Sequence, residues 1–112
     1  MIVLVRIGEL PPAPLAAAAA FHRGELPRIE AALAEASHEV TLVFPPADHT
    51  HRGWRLAAVQ SLTRAHAPRR VNAIVSDEPP AIAAAERFLR ANGGVTGQLL
   101  VLDGVGAGSV VS

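Results

Sequence analysis

The side chains that could do chemistry are concentrated in one short segment, Asp48-His49-Thr50-His51-Arg52. Imidazoles two positions apart on an extended loop can converge on one metal ion, so Asp48, His49 and His51 form a candidate metal set. The remaining histidines are scattered along the chain, and no second cluster supplies further ligands. We therefore expect no metal ion, and the simpler interpretation is that Asp48 or Thr50 caps a helix while both histidines face solvent.

Several residue types that carry chemistry are missing. The chain has no Cys and no Tyr, and all ten of its basic residues are Arg, so that Lys is absent as well. Thiol chemistry, disulfides and Cys-based metal sites are excluded, together with any mechanism that needs a Lys amine or a Tyr hydroxyl.

Composition and net charge limit which kind of protein this can be and which partners it can bind. With 112 residues, half of them apolar, the chain suits one packed domain. Its formal net charge is zero, so nothing attracts nucleic acid or an acidic membrane. The longest apolar run, Leu15 to Phe21, is far shorter than the ~20 residues that span a bilayer. We expect neither a signal peptide nor an anchor, and a cytoplasmic location.

Apolar β-rich runs alternate with helical patterns. The strands are predicted at 1–7, 40–44, 71–75 and 98–102, and the helices at 15–38, 52–67 and 81–91. Gly24 and Pro27 interrupt the first helix, which predicts a kink or two pieces. This order predicts a four-stranded parallel sheet flanked by helices, occupying residues 1–104, followed by an irregular Gly-rich tail at 105–112.

Many short stretches match a known pattern in order and spacing. They are Ala57-Ala58-Val59, Leu62-Thr63-Arg64, Ala67-Pro68-Arg69-Arg70-Val71-Asn72-Ala73-Ile74, Phe88-Leu89, Val95-Thr96-Gly97-Gln98 and Leu100-Val101-Leu102-Asp103-Gly104. Together they resemble the C-terminal half, strands four to seven, of a short-chain dehydrogenase/reductase. Leu26-Pro27-Arg28-Ile29, which leads to VTLVF, is similar to the fourth helix and fifth strand of that family.

The resemblance implies a truncated, half-Rossmann fold without dehydrogenase chemistry. No part of the sequence matches the family's first three strands or its glycine-rich dinucleotide turn, so no cofactor and no cofactor-binding residue are expected. The catalytic Tyr and Lys of the family fall at Arg52 and Leu56. Phe44-Pro45-Pro46 stands where the catalytic Ser is found, and Ser76-Asp77 replaces a Pro-Gly pair. We expect no catalytic residue and no enzyme activity.

Assembly is the function that this interpretation favours. Without the family's first strands, MIVLV becomes an apolar edge strand that needs a cover. The helices on either side of VTLVF correspond to those through which family members pair. The interface is therefore predicted at Ile29, Leu33, Trp54, Ala58 and Leu62, with a second copy or a full-length family member as partner.

Two alternatives to a non-catalytic interaction module remain open. A small ligand or a metal ion could bind the loop after the second strand, through Asp48, His49, His51 and Arg52. Residual nucleotide binding across a dimer is the other possibility, and it would need a partner chain to donate the phosphate site.

Overall fold

Parallel strands form the centre of the molecule. The computed structural model describes residues 2–35, 39–102 and 110–111. Four strands, β1 (Ile2–Arg6), β2 (Glu39–Phe44), β3 (Val71–Val75) and β4 (Leu99–Leu102), pair in parallel in their chain order. The four-stranded parallel sheet predicted from the sequence is confirmed.

A short fifth strand corrects the predicted tail. Strand β5 (Val110–Val111) pairs antiparallel with β4, so these two residues are not irregular. Valine favours extended backbone, and the outer edge of β4 offers unpaired backbone groups. Residues 105–109 and 112 of that tail lie outside the described residues, and so do Asp103 and Gly104.

The first helical segment breaks where Gly24 and Pro27 predicted it. Helix α1 (Pro14–Ala20) continues into a π-helical turn (Phe21–Glu25) and then into α2 (Leu26–Ala34), with Pro27 in the first turn of α2. Proline has no N–H to give to a preceding turn, so the helix changes its hydrogen-bonding pattern there. Helix α2 ends at Ala34 because Glu35 is extended, and the predicted remainder, 36–38, is not among the described residues.

Two longer helices follow. A 3₁₀ turn (His49–His51) leads into α3 (Arg52–His66), and α4 (Pro79–Ala91) begins two residues before its predicted start because proline suits a first helical turn. No helix within the described ranges is both long and apolar enough to cross a membrane.

The sheet is covered unequally on its two faces. Helices α1, α2 and α3 pack on one face and bury the larger core, which includes Phe21, Ile29, Leu33, Leu42, Phe44, Val59 and Val71. Helix α4 covers the other face with a smaller cluster around Ile74, Ile82 and Leu89. Ile2 and Leu4 of β1 belong to this second face and stay only half-buried.

One arginine joins the sheet to the end of α4. Arg70 donates from Nε and Nη2 to both carboxylate oxygens of Glu39, at 2.9 and 2.8 Å. Its Nη1 donates to the carbonyls of Leu89, Asn92 and Val95. These bonds raise the pKa of Arg70 and lower the pKa of Glu39. Arg70 therefore satisfies carbonyls that the end of a helix leaves without partners.

We expect Glu39→Gln to lower stability at neutral pH and to flatten its acid dependence. Pairing with Arg70 makes the pKa of Glu39 lower in the folded chain than the ~4.3 of a free glutamate. The stabilisation that the ionised carboxylate gives the folded state is therefore fully present above pH ~4.3 and is lost as the pH falls through the lower pKa of the folded chain. Urea unfolding at pH 7 and at pH 3 measures both effects. Glu86→Gln, which changes a carboxylate in an exposed pair with Arg90, is the control. An equal loss of stability in both variants would contradict the conclusion that the Glu39–Arg70 pair stabilises the fold.

Candidate functional site

A pocket of about 440 Å³ lies at the carboxyl edge of the sheet. In open α/β sheets this edge, where the strands run into their following loops, is where ligands bind. We call it the carboxyl-edge pocket, and its lining comprises Ala47, Asp48, His49, His51, Arg52, Arg55, Val75, Leu99 and Val101. The pocket thus brings together the four residues of the predicted ligand loop, which are Asp48, His49, His51 and Arg52.

Asp48 caps the helical turn that follows it. Its Oδ1 accepts a hydrogen bond from the backbone N–H of Thr50 at 2.9 Å, and the Thr50 hydroxyl donates to the same oxygen. These two bonds, helped by His51 and His49, hold the pKa of Asp48 below its usual range. The capping interpretation of Asp48 is confirmed.

His51 is buried and holds two segments together. Its Nδ1 accepts from the indole Nε1–H of Trp54 at 3.0 Å, and because an indole can only donate, the ring proton resides on Nε2. That Nε2–H donates to the carbonyl of Pro12 at 3.0 Å. The expectation that both histidines face solvent is therefore wrong for His51, whereas His49 is exposed.

The alternative metal set loses one ligand for the same reason. A metal ion needs a free lone pair on an imidazole nitrogen, and both nitrogens of His51 are engaged. Asp48 and His49 alone are too few ligands for a stable site, and no group of three or more possible metal ligands occurs among the described residues. Asp48, His49 and His51 do not form the metal site considered from the sequence.

Arg55 is the residue of the pocket that the sequence reasoning missed. It is only 5% exposed, and its Cζ lies 4.5 Å from the centre of the Phe44 ring and 5.8 Å from that of Trp54. Its Nη1 donates to the carbonyl of Pro45 at 3.0 Å, while its buried Nε has no hydrogen-bond partner. Burial lowers the pKa of its guanidinium, yet an arginine stays charged in proteins.

A sequence signal for Arg55 did exist. Positions 55, 58, 59 and 62 follow one another at helical spacing, and the last three hold apolar residues that are buried in α3. A charged residue in register with such a face departs from the usual amphipathic pattern, and buried arginines are rare unless they are paired. Helical periodicity alone could therefore have singled out this position.

Arg55 also lines a second cavity, on the side of the proline-containing loops. This cavity, which we call the proline groove, has a volume of about 280 Å³ and is lined by Glu9, Leu10, Pro11, Pro12, Pro45, Pro46, Ala47, Asp48, His51 and Arg55. Neither Glu9 nor Asp48 forms an ion pair with Arg55. The charge of Arg55 is thus uncompensated by any carboxylate of the described residues.

The comparisons with known proteins identify the family. A family model described as short chain dehydrogenase-like protein matches residues 5–102. The chain belongs to this short-chain dehydrogenase-like family. Neither a curated protein nor a solved structure matches it significantly.

The structure also places the residues that the resemblance aligned with the family's catalytic groups. Arg52, at the expected place of the Tyr, is exposed and lines the carboxyl-edge pocket. Leu56, at the place of the Lys, is half-buried against the larger core. Phe44 is fully buried under Arg55, and the Ser76 hydroxyl accepts a hydrogen bond from the backbone N–H of Glu78.

The predicted interface residues lie mostly inside the chain. Ile29 and Leu33 have no exposed surface, and Ala58 and Leu62 are almost fully buried. Trp54 packs against Phe21 and Phe44 in a cluster of aromatic rings. Because α3 packs against both the sheet and α1, its apolar sides are used within one chain. Ile29 and Leu33 therefore have no surface to offer a partner, whereas Trp54 is half-buried and Ala58 and Leu62 line a pocket of about 190 Å³. The interface and self-association stay predictions.

We expect Arg55→Met to change the free energy of unfolding by less than about 1 kcal/mol, or to raise it. Removing an unpaired buried cation recovers several kcal/mol of desolvation, which offsets the lost Pro45 hydrogen bond and ring contacts. By contrast, Arg70→Met breaks a paired network and should cost about 3 kcal/mol. Urea unfolding of both variants measures the difference, and an equal loss would show that Arg55 is a structural residue.

Proposed function

We propose that this chain is a non-catalytic member of its family that binds a small molecule in the carboxyl-edge pocket. The observation that carries this proposal is the composition of the lining: Val75, Leu99 and Val101 supply an apolar wall, and polar side chains converge from the start of α3. Ligand sites are typically of this size and combine apolar walls with few polar groups.

The residues at the family's catalytic positions support binding without hydride transfer. The guanidinium of Arg52 stays protonated and cannot pass a proton as a phenol does, and the Leu56 side chain cannot assist it. Both residues were assigned to these positions by resemblance, and the family match extends over them. A cytoplasmic location and the absence of catalysis belong to this proposal.

A second candidate function is self-association through β1. Strand β1 pairs only with β2 among the described strands, and its Ile2 and Leu4 are half-buried on the face that α4 covers. An edge with unpaired backbone groups beside half-buried apolar side chains suits pairing with a second strand. A second copy, related by a two-fold axis, would extend the sheet antiparallel at this edge.

The binding proposal is tested with two probes of equal chain length, octanoate and 1-octanol, followed by ¹H–¹⁵N NMR. We expect at least one of them to shift the amides of His49, Arg52 and Val101 with a dissociation constant on the order of 1 mM, as suits a ligand of ~10 heavy atoms. Val101→Phe, which fills the pocket, should abolish the shifts.

Leu102→Phe is the matched control for that variant, since it makes a similar change one residue along β4, where the side chain packs with the α4 cluster. Binding to this control should equal binding to the unaltered chain. If neither probe moves these amides, the chain does not use the pocket and the proposal is refuted.

Self-association is tested by light scattering at micromolar concentration. We expect a dimer that Leu4→Lys converts to a monomer, because a charge beside the edge strand opposes pairing. Leu102→Lys, on the same face of the sheet but on β4, should leave the dimer intact. A monomer of the unaltered chain would contradict the second candidate function.

A further inference from the structure

We propose that Arg55 makes the carboxyl-edge pocket specific for a small organic acid, whose single carboxylate pairs with the guanidinium while its apolar body fills the pocket. This inference rests on the proposed function, because it assigns a ligand class to that same pocket. Its basis is a charged side chain that is buried without an ion-pair partner in the described part of the chain.

The first step concerns the hydrogen bonds of Arg55. Of its three nitrogens, Nη1 alone donates within the described part of the chain, to the Pro45 carbonyl. Nε and Nη2 thus have no acceptor among the described residues. Nε is shielded from solvent, whereas Nη2 is not among the buried atoms and is the group that a ligand in the pocket can reach. A charge-assisted hydrogen bond from this Nη2–H to a carboxylate oxygen is the interaction that such a guanidinium favours.

The second step concerns the cost of leaving this group unpaired. Burying a charge without an opposite charge is strongly unfavourable, and the ring faces of Phe44 and Trp54 offset only part of that cost. A binding site commonly retains such a cost, because the ligand removes it. An anion that reached Arg55 from the pocket would gain the interaction that the folded chain does not supply.

The third step concerns the helix on which Arg55 lies. Arg52 and Arg55 both lie in the first turn of α3, and no acidic residue lies there. The N-terminus of a helix carries partial positive charge, so two arginines at this end repel it unless an anion is present. Helix and side chains therefore favour negative charge at the same place.

The fourth step limits the charge and the shape of the ligand. Two arginines and one carboxylate, that of Asp48, line the pocket in the described residues, and both ring nitrogens of His51 are engaged in hydrogen bonds. One surplus positive charge suits a monoanion better than a phosphate dianion. Because Val75, Leu99 and Val101 also line the pocket, the rest of the ligand should be apolar.

The test compares octanoate with 1-octanol, which differ in charge but have the same chain length. Trp54 is the single tryptophan of the protein and lies against Arg55, so its emission reports binding locally. We expect octanoate to bind at least about 10-fold more tightly than 1-octanol, since a charge-assisted pair is worth roughly that factor or more. This comparison needs no variant and is therefore independent of any folding defect.

Variants then assign the preference to one residue. Arg55→Met should bring the octanoate to 1-octanol affinity ratio close to one, and Arg55→Lys should retain part of the preference. Arg64→Met, an identical change at an exposed position of the same helix, should leave the ratio unaltered. Amide spectra of each variant check that it is folded.

Each contrary result has a distinct meaning. Equal binding of the two probes to the unaltered chain, or an undiminished preference in Arg55→Met, overturns the acid-binding inference but leaves a pocket that binds small molecules. Displacement of octanoate by inorganic phosphate at equal concentration overturns the carboxylate assignment in favour of a phosphate site. If neither probe binds, the proposed function fails together with this inference.

Discussion

Burial of α3 on two sides determines the positions of the other parts of this molecule. One side of the helix packs on β3 and β4, and the other contacts α1, so its buried residues Ala58, Val59 and Leu62 all serve one core. The start of the helix is thereby held at the carboxyl edge of the sheet, where the indole of Trp54 and the ring of His51 connect it to Pro12. Because these contacts are buried, the pocket beside them has a well-defined wall.

Arg55 is the exception within this buried helix. Its neighbours at helical spacing contribute apolar surface, whereas Arg55 contributes a charge whose contacts among the described residues are aromatic rings and one carbonyl. Arg70 shows what a structural arginine looks like in the same fold, since its guanidinium is paired with Glu39 and caps the end of α4. The hydrogen-bonding groups of Arg70 all have partners, whereas Nε of Arg55 has none among the described residues. This contrast is the physical basis for proposing a ligand at Arg55 and for giving the Glu39–Arg70 pair a structural role.

Polar side chains and one glycine hold the half-sheet together. Asn72 bridges β3 to the loop before β4 by donating to the Val95 carbonyl and accepting from the Gln98 amide, and Gly97 takes up a positive φ of 72° beside Thr63. Both positions lie in stretches on which the sequence resemblance rests, and both contribute contacts within the half-sheet. Arg52 and Leu56, by contrast, stand where the resemblance places the family's catalytic pair, and of these two Arg52 is exposed at the carboxyl-edge pocket.

The sequence by itself determined the strands, most helix positions and the parallel order of the sheet, because alternating apolar runs and proline or glycine breaks act locally along the chain. The sequence also predicted a candidate ligand loop from Asp48 to Arg52, and residues of this loop do line the pocket. Only the tertiary structure decided what those side chains do. The contacts of His51, the burial of Ile29 and Leu33 and the surroundings of Arg55 all depend on groups that are distant in sequence, such as Pro12 and Phe44. No local sequence pattern encodes such contacts.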